Sequence, residues 1–242
     1  MRFANLAIAL TLITQFAQGA SPKPDTVPDW HKQLEIGLIG SSGNSESQNF
    51  HAQVSAKQAT PELRREANAA FDMEKKDREK SREEFYATLN QDWLLSGSPW
   101  FYFAQGRFDW DDFKDWDYRA NVAGGTGYDF ITREDWTLRG KTGLGFNREF
   151  GGKDHSIATE AIFEASSNWM FSAHHKLELK TTWYPQLDEI SEYRNINTLS
   201  WLYKLNDTMR FKVGLIHEHD SDVPDGIKRD DFTYATSLVW DI

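Results

Sequence analysis

The chain has no cysteine, which excludes disulfide staples, thiolate nucleophiles and cysteine-ligated metal centres. It also lacks, after its first 19 residues, any run of about 18 consecutive apolar residues, so no later segment reads as a membrane-spanning helix. Positive charge is the scarcer sign, with 27 Lys and Arg against 37 Asp and Glu and a formal net charge of −10. That sign argues against a nucleic-acid partner. Proline is sparse: the seven residues are Pro22, Pro24, Pro28, Pro61, Pro99, Pro185 and Pro224. All of them fall in a linker, a turn or a loop, where a missing backbone donor does no harm to a β ladder.

What is present begins with a leader. Arg2 supplies a short cationic start, Leu6, Ile8, Leu10, Leu12, Ile13 and Phe16 an apolar stretch, and Ala17-Gln18-Gly19 a small-x-small cleavage site. These features predict a secretory signal peptide over residues 1–19, because the apolar run is too short to span a bilayer. Removing Arg2 with it brings the net charge to −11. Residues 20–29, with three prolines, read as an extended Pro-rich linker. Residues 30–242 then form the one remaining domain.

Within that domain the dominant pattern is period two. Leu34, Ile36 and Leu38 alternate with Gln33, Glu35 and Gly37, and Phe50, Ala52, Val54 and Ala56 alternate with His51, Gln53, Ser55 and Lys57. Twelve such runs follow one another to Ile242. The fifth opens on four aromatics, Trp100-Phe101-Tyr102-Phe103, which blurs its parity. The sixth and seventh are rich in glycine, a mark of tight bends or close backbone approach. The connections also alternate. Ala59–Leu63, Ser96–Pro99, Ile131–Asp135, Met170–Ala173 and Asn206-Asp207 are compact, whereas Gly40–Ser47, Lys75–Arg82, Asp111–Trp116, Glu149–His155, Pro185–Glu192 and Glu218–Asp230 are longer and charged. Short turns at one rim and long loops at the other predict an all-β, up-and-down antiparallel transmembrane β-barrel of about 12 strands.

Period two alone does not say which face looks outward, since a soluble barrel hides its apolar face and a membrane barrel shows it to lipid. Aromatic placement decides. Trp30, Trp93, Trp100, Trp136, Trp169, Trp201 and Trp240 lie near strand ends beside the short turns, and Trp110, Trp116 and Trp183 near the long loops. Two bands of this kind predict aromatic girdles at two membrane interfaces.

The segment Leu34-Glu35-Ile36-Gly37-Leu38 running into Ser41-Ser42-Gly43-Asn44-Ser45, with Trp-rich later strands and the ending Ser237-Leu238-Val239-Trp240-Asp241-Ile242, resembles the salt-induced outer-membrane protein family, an uncharacterised bacterial β-barrel family. The resemblance covers most of residues 30–242. It implies an outer-membrane barrel linked by name to salt response, and it assigns no catalytic residue.

Candidate chemistry is thin. His51 and Ser55 share a strand face, but no third group is evident to orient a nucleophile–base pair. The stretch His217 to Gly226 concentrates oxygen and imidazole ligands, yet Pro224 occupies a position that a calcium loop needs for oxygen, so it reads as an acidic external loop. The run Asp109 to Asp117 reads as a second solvated loop. On the inferred inward faces stand Arg139, Lys141, Glu160, Glu164, Lys176, Glu178, Lys180, Arg210 and Lys212. Adjacent antiparallel strands set such charges side by side as cross-strand ion pairs. Twelve strands lie between the filled eight-stranded barrel and the open sixteen-stranded porin. A charge-paired plug and a narrow charged channel therefore stay equally open.

The sequence thus predicts a monomeric, non-enzymatic barrel without cofactor or assigned metal. It is expected in the cell outer membrane, against lipid and lipopolysaccharide, and is handed to the barrel-assembly machinery for insertion. It would act as a narrow channel for small polar solutes or as a structural envelope protein. The competing reading is a soluble periplasmic β-barrel that binds an apolar ligand inside.

Overall fold

The computed structural model describes residues 29–42, 47–76, 79–112, 116–151, 157–188, 191–221 and 228–242. The expected leader and nearly all of the linker, the turn motif at 43–46 and the loop at 222–227 lie outside these residues.

Twelve strands follow in chain order: β1 His31–Ser42, β2 Ser47–Ala59, β3 Leu63–Lys76, β4 Glu79–Leu94, β5 Trp100–Asp111, β6 Tyr118–Thr132, β7 Trp136–Phe150, β8 Ile157–Met170, β9 His175–Pro185, β10 Tyr193–Lys204, β11 Met209–Asp220 and β12 Asp230–Asp241. Each pairs antiparallel with its neighbours in sequence, and β12 closes on β1 through Gln33↔Asp241 to Ser42↔Phe232. Closure removes both sheet edges, so every strand finds a ladder partner on each side.

The alternating side chains divide into two faces, and the apolar one is outside. Leu38 is 66% exposed, and Leu89, Val122, Phe130, Leu144 and Ile157 are likewise exposed. Apart from Trp116, the buried apolar residues, among them Ala70, Phe101, Phe103, Ala123, Ile162, Leu202 and Val239, sit at inward positions of the register. An oily exterior around a polar interior is the reverse of a soluble barrel. It suits a solvent of hydrocarbon, in which only a closed ladder satisfies every backbone group.

Loop lengths depart from the expected strict alternation. The compact rim, called here the turn rim, holds 60–62, 95–99, 133–135, 171–174 and 205–208. The opposite loop rim holds 112–117, 151–156, 186–192 and 221–229, but β1 and β2 are separated only by 43–46 and β3 and β4 only by 77–78. The charged stretch expected as a loop at Lys75–Arg82 instead prolongs the β3–β4 ladder through Lys75↔Lys80 and Lys76↔Glu79. Asp111 and Asp220 similarly belong to strand ends.

Glycines mark one sharp corner of the wall. Gly125 of β6 faces Gly143 of β7, and a Cβ on Gly125 would stand 2.1 Å from the Thr142 carbonyl oxygen. Halfway round the barrel, at the β12–β1 junction, a Cβ on Gly37 would stand 2.5 Å from the Thr236 carbonyl oxygen. Among the described residues, no strand brings a Cα within 8 Å of any strand other than its ladder neighbours, so the interior is reached only by side chains.

Candidate functional site

The interior is organised by contacts between neighbouring strands and by others that skip one or two strands. The densest cluster lies just inside the turn rim. Asp92 of β4 accepts from Arg64 Nε of β3 at 3.2 Å and from Lys141 Nζ of β7 at 2.8 Å. Asp129 of β6 accepts from Arg64 Nη1 at 2.8 Å and from Arg139 Nε at 2.7 Å. Three cations thus share two carboxylates. They close around the Phe101 ring, with Arg64 Cζ 4.5 Å and Lys141 Nζ 5.8 Å from its centroid and Lys141 Nζ 5.0 Å from that of Phe103. Cations over ring faces are favourable, more so where water is excluded.

Phe101 enters the interior because its register partner on β6 is Gly127. A Cβ there would lie 2.1 Å from the ring's Cζ. The same pairing sets Phe103 against Gly125. The four-aromatic run therefore resolves into Trp100 and Tyr102 outside and Phe101 and Phe103 inside, and the glycines of β6 were the sequence signal that tells them apart.

A second cluster lies near the β11–β12–β1 wall. Glu35 accepts from Lys212 Nζ at 2.9 Å and from Ser237 Oγ at 2.5 Å, while Arg210 donates to Asp241, which also accepts from Gln33 Nε2 at 3.0 Å. Higher up, His51 Nδ1 and Asp72 Oδ1 are 2.6 Å apart and both residues are buried. Asp72 is thus an orienting carboxylate for His51 that the sequence reading missed. It does not make a nucleophile site with Ser55, which stands four residues along the strand and so roughly 13 Å away.

The nine charged residues expected to line the lumen all occupy inward register positions, in pairings that partly differ from simple neighbours. Lys180 Nζ meets Glu164 Oε2 across β8–β9 at 2.8 Å, and Lys176 meets Glu178 on its own strand at 2.5 Å. Lys141, although registered against Glu164, instead reaches Asp92 two strands beyond its neighbour. Lys212 likewise skips β12 to reach Glu35. Long side chains curve inward across the axis and choose the nearest carboxylate regardless of the ladder. Glu160 is only 8% exposed and its Oε2 has no hydrogen-bond partner.

Solvation within the interior is uneven. Asp92 and Lys141 keep 7% and 10% of their side chains accessible, whereas Lys57 and Lys180 keep 49% and 52%. The side around Phe101 is thus packed, while the ammonium groups of Lys57 and Lys180 stay accessible.

Charge is also uneven along the axis. In the half toward the loop rim, the described inward residues on β3, β4 and β5 include Asp72, Glu84, Asp109 and Asp111. The rest of the ring adds Glu149, Glu160, Glu218, Asp220 and Asp231. The described guanidinium groups in this half are those of Arg107, Arg119 and Arg194, and Glu84, Asp111, Asp220 and Asp231 each have a polar partner. The half toward the turn rim reverses the balance: Arg64, Arg139, Lys141, Lys176, Lys180, Arg210 and Lys212, with Lys57 and Lys204, exceed the carboxylates of Glu35, Glu66, Asp92, Asp129, Glu164, Glu178 and Asp241. The acidic run after Phe108 is therefore not wholly a solvated loop. Period two continues to the end of β5, so Asp109 and Asp111 point inward, Asp109 against Arg107 at 2.6 Å.

On the outer face, Trp30, Trp93, Trp100 and Trp169 are exposed and Trp136, Trp201 and Trp240 half-buried, all beside the turn rim. Trp136 donates from Nε1 to Ser167 Oγ at 3.0 Å, and Trp201 from Nε1 to His175 Nδ1 at 3.2 Å. Near the other rim Trp183 is exposed and stacks on Phe163. Trp116 departs from the expected band: it is buried beneath the Arg119 guanidinium, 4.9 Å from its ring centroid. His217 and His219, expected in a loop, sit on the outer face of β11 and share Asp230 Oδ1 at 2.8 and 2.9 Å. Among the described residues no group of three His, Asp or Glu is arranged to hold a metal ion.

The apolar-ligand reading requires an apolar cavity inside. Two depressions, of about 330 and 540 Å³, lie against the wall, lined by residues such as Leu179, Leu199 and Leu215 or Trp100, Phe163 and Trp183, whose side chains belong to the outer face. The interior they back onto is charged.

A closed, twelve-stranded, antiparallel up-and-down barrel with an apolar outside and an ion-paired inside defines the class of this protein. Solved structures agree on the fold. The NanC porin superposes with a TM-score of 0.60 at 10% identity, covering 86% of this chain and 100% of its own. An outer membrane channel from Pseudomonas putida F1 gives 0.52 at 9%, covering 93% and 100%. The KdgM porin in complex with disordered oligogalacturonate gives 0.52 at 6%, covering 87% and 99%. No curated protein matches the chain. Residues 34–242 match the family described as "Protein of unknown function, DUF481", and the chain belongs to that family.

Proposed function

We propose that this protein is a non-enzymatic outer-membrane barrel that lets small polar solutes pass through a narrow, charge-lined lumen. The observation that carries the reading is the unequal packing of the interior. The Arg64–Asp92–Lys141 and Arg64–Asp129–Arg139 pairs narrow one side around Phe101, while Lys57 and Lys180 stay about half exposed. A structural plug would be expected to bury these ammonium groups, paired as they are with Glu66 and Glu164. The porin and channel structures that share the fold support the reading at the level of architecture.

The same proposal places the protein in the outer membrane after removal of residues 1–19, as a monomer inserted by the barrel-assembly machinery. Trp93, Trp100, Trp136, Trp169, Trp201 and Trp240, with Trp30 before β1, then form the girdle at one interface. The exposed band between them and Trp183 faces lipid and lipopolysaccharide. The nine inward charged residues line the lumen. The salt-induced character implied by the family resemblance belongs with this reading, and it predicts that the protein's abundance rises with medium salt.

The test is single-channel recording of refolded protein in planar bilayers. Discrete conductance steps that grow when Phe101→Ala removes the ring support the channel. Silent membranes with correctly folded, heat-modifiable protein overturn it in favour of a structural role.

A further inference from the structure

The outer wall carries a trough whose course follows the hydrogen-bond register. One row of partners, Gly140↔Ala165↔Thr181↔Asn197↔His217, crosses β7 to β11 on the outer face. Ala165 and Thr181 are small and exposed, and the two depressions in the wall meet over them, since both residues line each. Taller side chains flank the row: Phe163 and Trp183 on the loop-rim side, Leu179, Leu199 and Leu215 on the turn-rim side. Gly140 lies near the turn-rim end of β7, with the Phe130 ring against it, and His217 near the loop-rim end of β11. The row is therefore oblique to the barrel axis, as tilted strands require. Its four inter-strand steps cover about 19 Å, on the scale of one extended acyl chain.

The β9–β11 end of the trough is polar. Thr181 Oγ1 donates to Asn197 Oδ1 at 2.6 Å, and Asn197 Nδ2 donates both to Asn195 Oδ1 and to His217 Nδ1. An amide nitrogen only donates, so His217 Nδ1 accepts and its Nε2 donates to Asp230 Oδ1 at 2.8 Å. The hydroxyl proton of Thr181 and both amide protons of Asn197 are thus used within the wall. What these two side chains still offer is acceptor capacity, on Thr181 Oγ1 and Asn197 Oδ1. They stand one row deeper than Trp183 and Asn195, about 7 Å further along the strands, beneath the level at which an interfacial tryptophan ring sits. Unmatched polar atoms at that depth are costly. Ester-linked lipids bring only acceptors there, whereas amide-linked, hydroxylated acyl chains bring N–H and O–H donors.

We infer that the trough binds one amide-linked, hydroxylated acyl chain of lipopolysaccharide, which lies over Ala165 and donates to Thr181 and Asn197. This rests on the outer-membrane placement proposed above and not on conduction.

The test is native mass spectrometry of the refolded protein in detergent micelles, mixed with lipid A or separately with phosphatidylethanolamine. One lipid A per barrel should be retained about tenfold better than phosphatidylethanolamine, the worth of two hydrogen bonds. Thr181→Val with Asn197→Leu keeps the trough and should bring lipid A down to the level of phosphatidylethanolamine. Ala165→Leu with Thr181→Leu fills the floor and should remove the adduct, whereas Ala69→Leu with Ala87→Leu, at outward positions of β3 and β4, should leave it. Equal retention of the two lipids by the unaltered protein, an adduct indifferent to filling the floor, or a protein dimer in its place would overturn the inference. Variants are scored only after the heat-shift gel shows a closed barrel. If neither trough variant folds, the comparison of the two lipids on the unaltered protein decides alone. Lipid retention needs no current, so silent bilayers and a failed lipid site are separate results.

Discussion

Lys141 of β7 places its ammonium 2.8 Å from Asp92 of β4, across the two strands that separate them. That single bond ties distant parts of the wall together through the interior, and it shows the interior to be organised by side-chain reach as much as by the ladder. Around it, the barrel's inner surface is a set of local charge exchanges that can be broken one at a time.

Removing Asp92 strands two cations. Asp92→Ala leaves Lys141 and one arm of Arg64 beside Phe101 without their carboxylate, and should lower unfolding stability by about 2–3 kcal/mol, somewhat less than a fully dry pair because water enters the lumen. Urea unfolding in detergent micelles checks this, with a shifted midpoint at unchanged slope. Asp92→Asn, which keeps an acceptor oxygen, should lose about half as much.

Gly127→Ala drives a methyl into the Phe101 ring. The ring cannot retreat without disturbing Arg64 and Asp129, so the change should cost about 1–3 kcal/mol, as overpacked sites do. Combining it with Phe101→Ala should cost less than the two single changes summed, and a double-mutant cycle read by the same unfolding assay tests the coupling.

At the corner of the wall the obstacle is backbone rather than a side chain. Gly143→Ala would put a Cβ 2.2 Å from the Gly124 carbonyl oxygen, and should abolish the folded, heat-modifiable band on a gel or reduce it severely. Gly106→Ala is the control, because the nearest atom to its Cβ is 4.0 Å away.

Adjacent residues of β4 test which face meets lipid. Leu89 is 55% exposed on the outer face, and its neighbour Asn90 points inward. In bilayers, Leu89→Arg should cost about 2–4 kcal/mol, the penalty for a cation near the middle of the hydrocarbon, whereas Asn90→Arg should cost well under half of that. Reversible unfolding into lipid vesicles measures both.

The fold was legible because period two is a local code. Leu34-Glu35-Ile36-Gly37-Leu38 assigns its own faces, and a long series of such runs joined by turns leaves little choice but a meander that closes. Aromatics beside turns then gave the orientation. The code failed where side chains did not declare a face. Trp100 to Phe103 offered four aromatics for two faces, and the answer lay in Gly127 and Gly125 on the partner strand. It failed too at Lys75–Arg82 and Asp109–Asp111, because charge reports preference for water, and both a loop and the inside of this barrel supply water.

The sequence by itself determined the strands, their order and their outward faces, since each depends on neighbours along the chain or on the next strand. Only the tertiary structure decided which charges meet, as with Lys141 and Asp92, which aromatic rings fill the lumen, and how carboxylates collect toward one rim. Those depend on the closed wall's curvature and on distances across its axis, where residues far apart in the chain come within reach of one another.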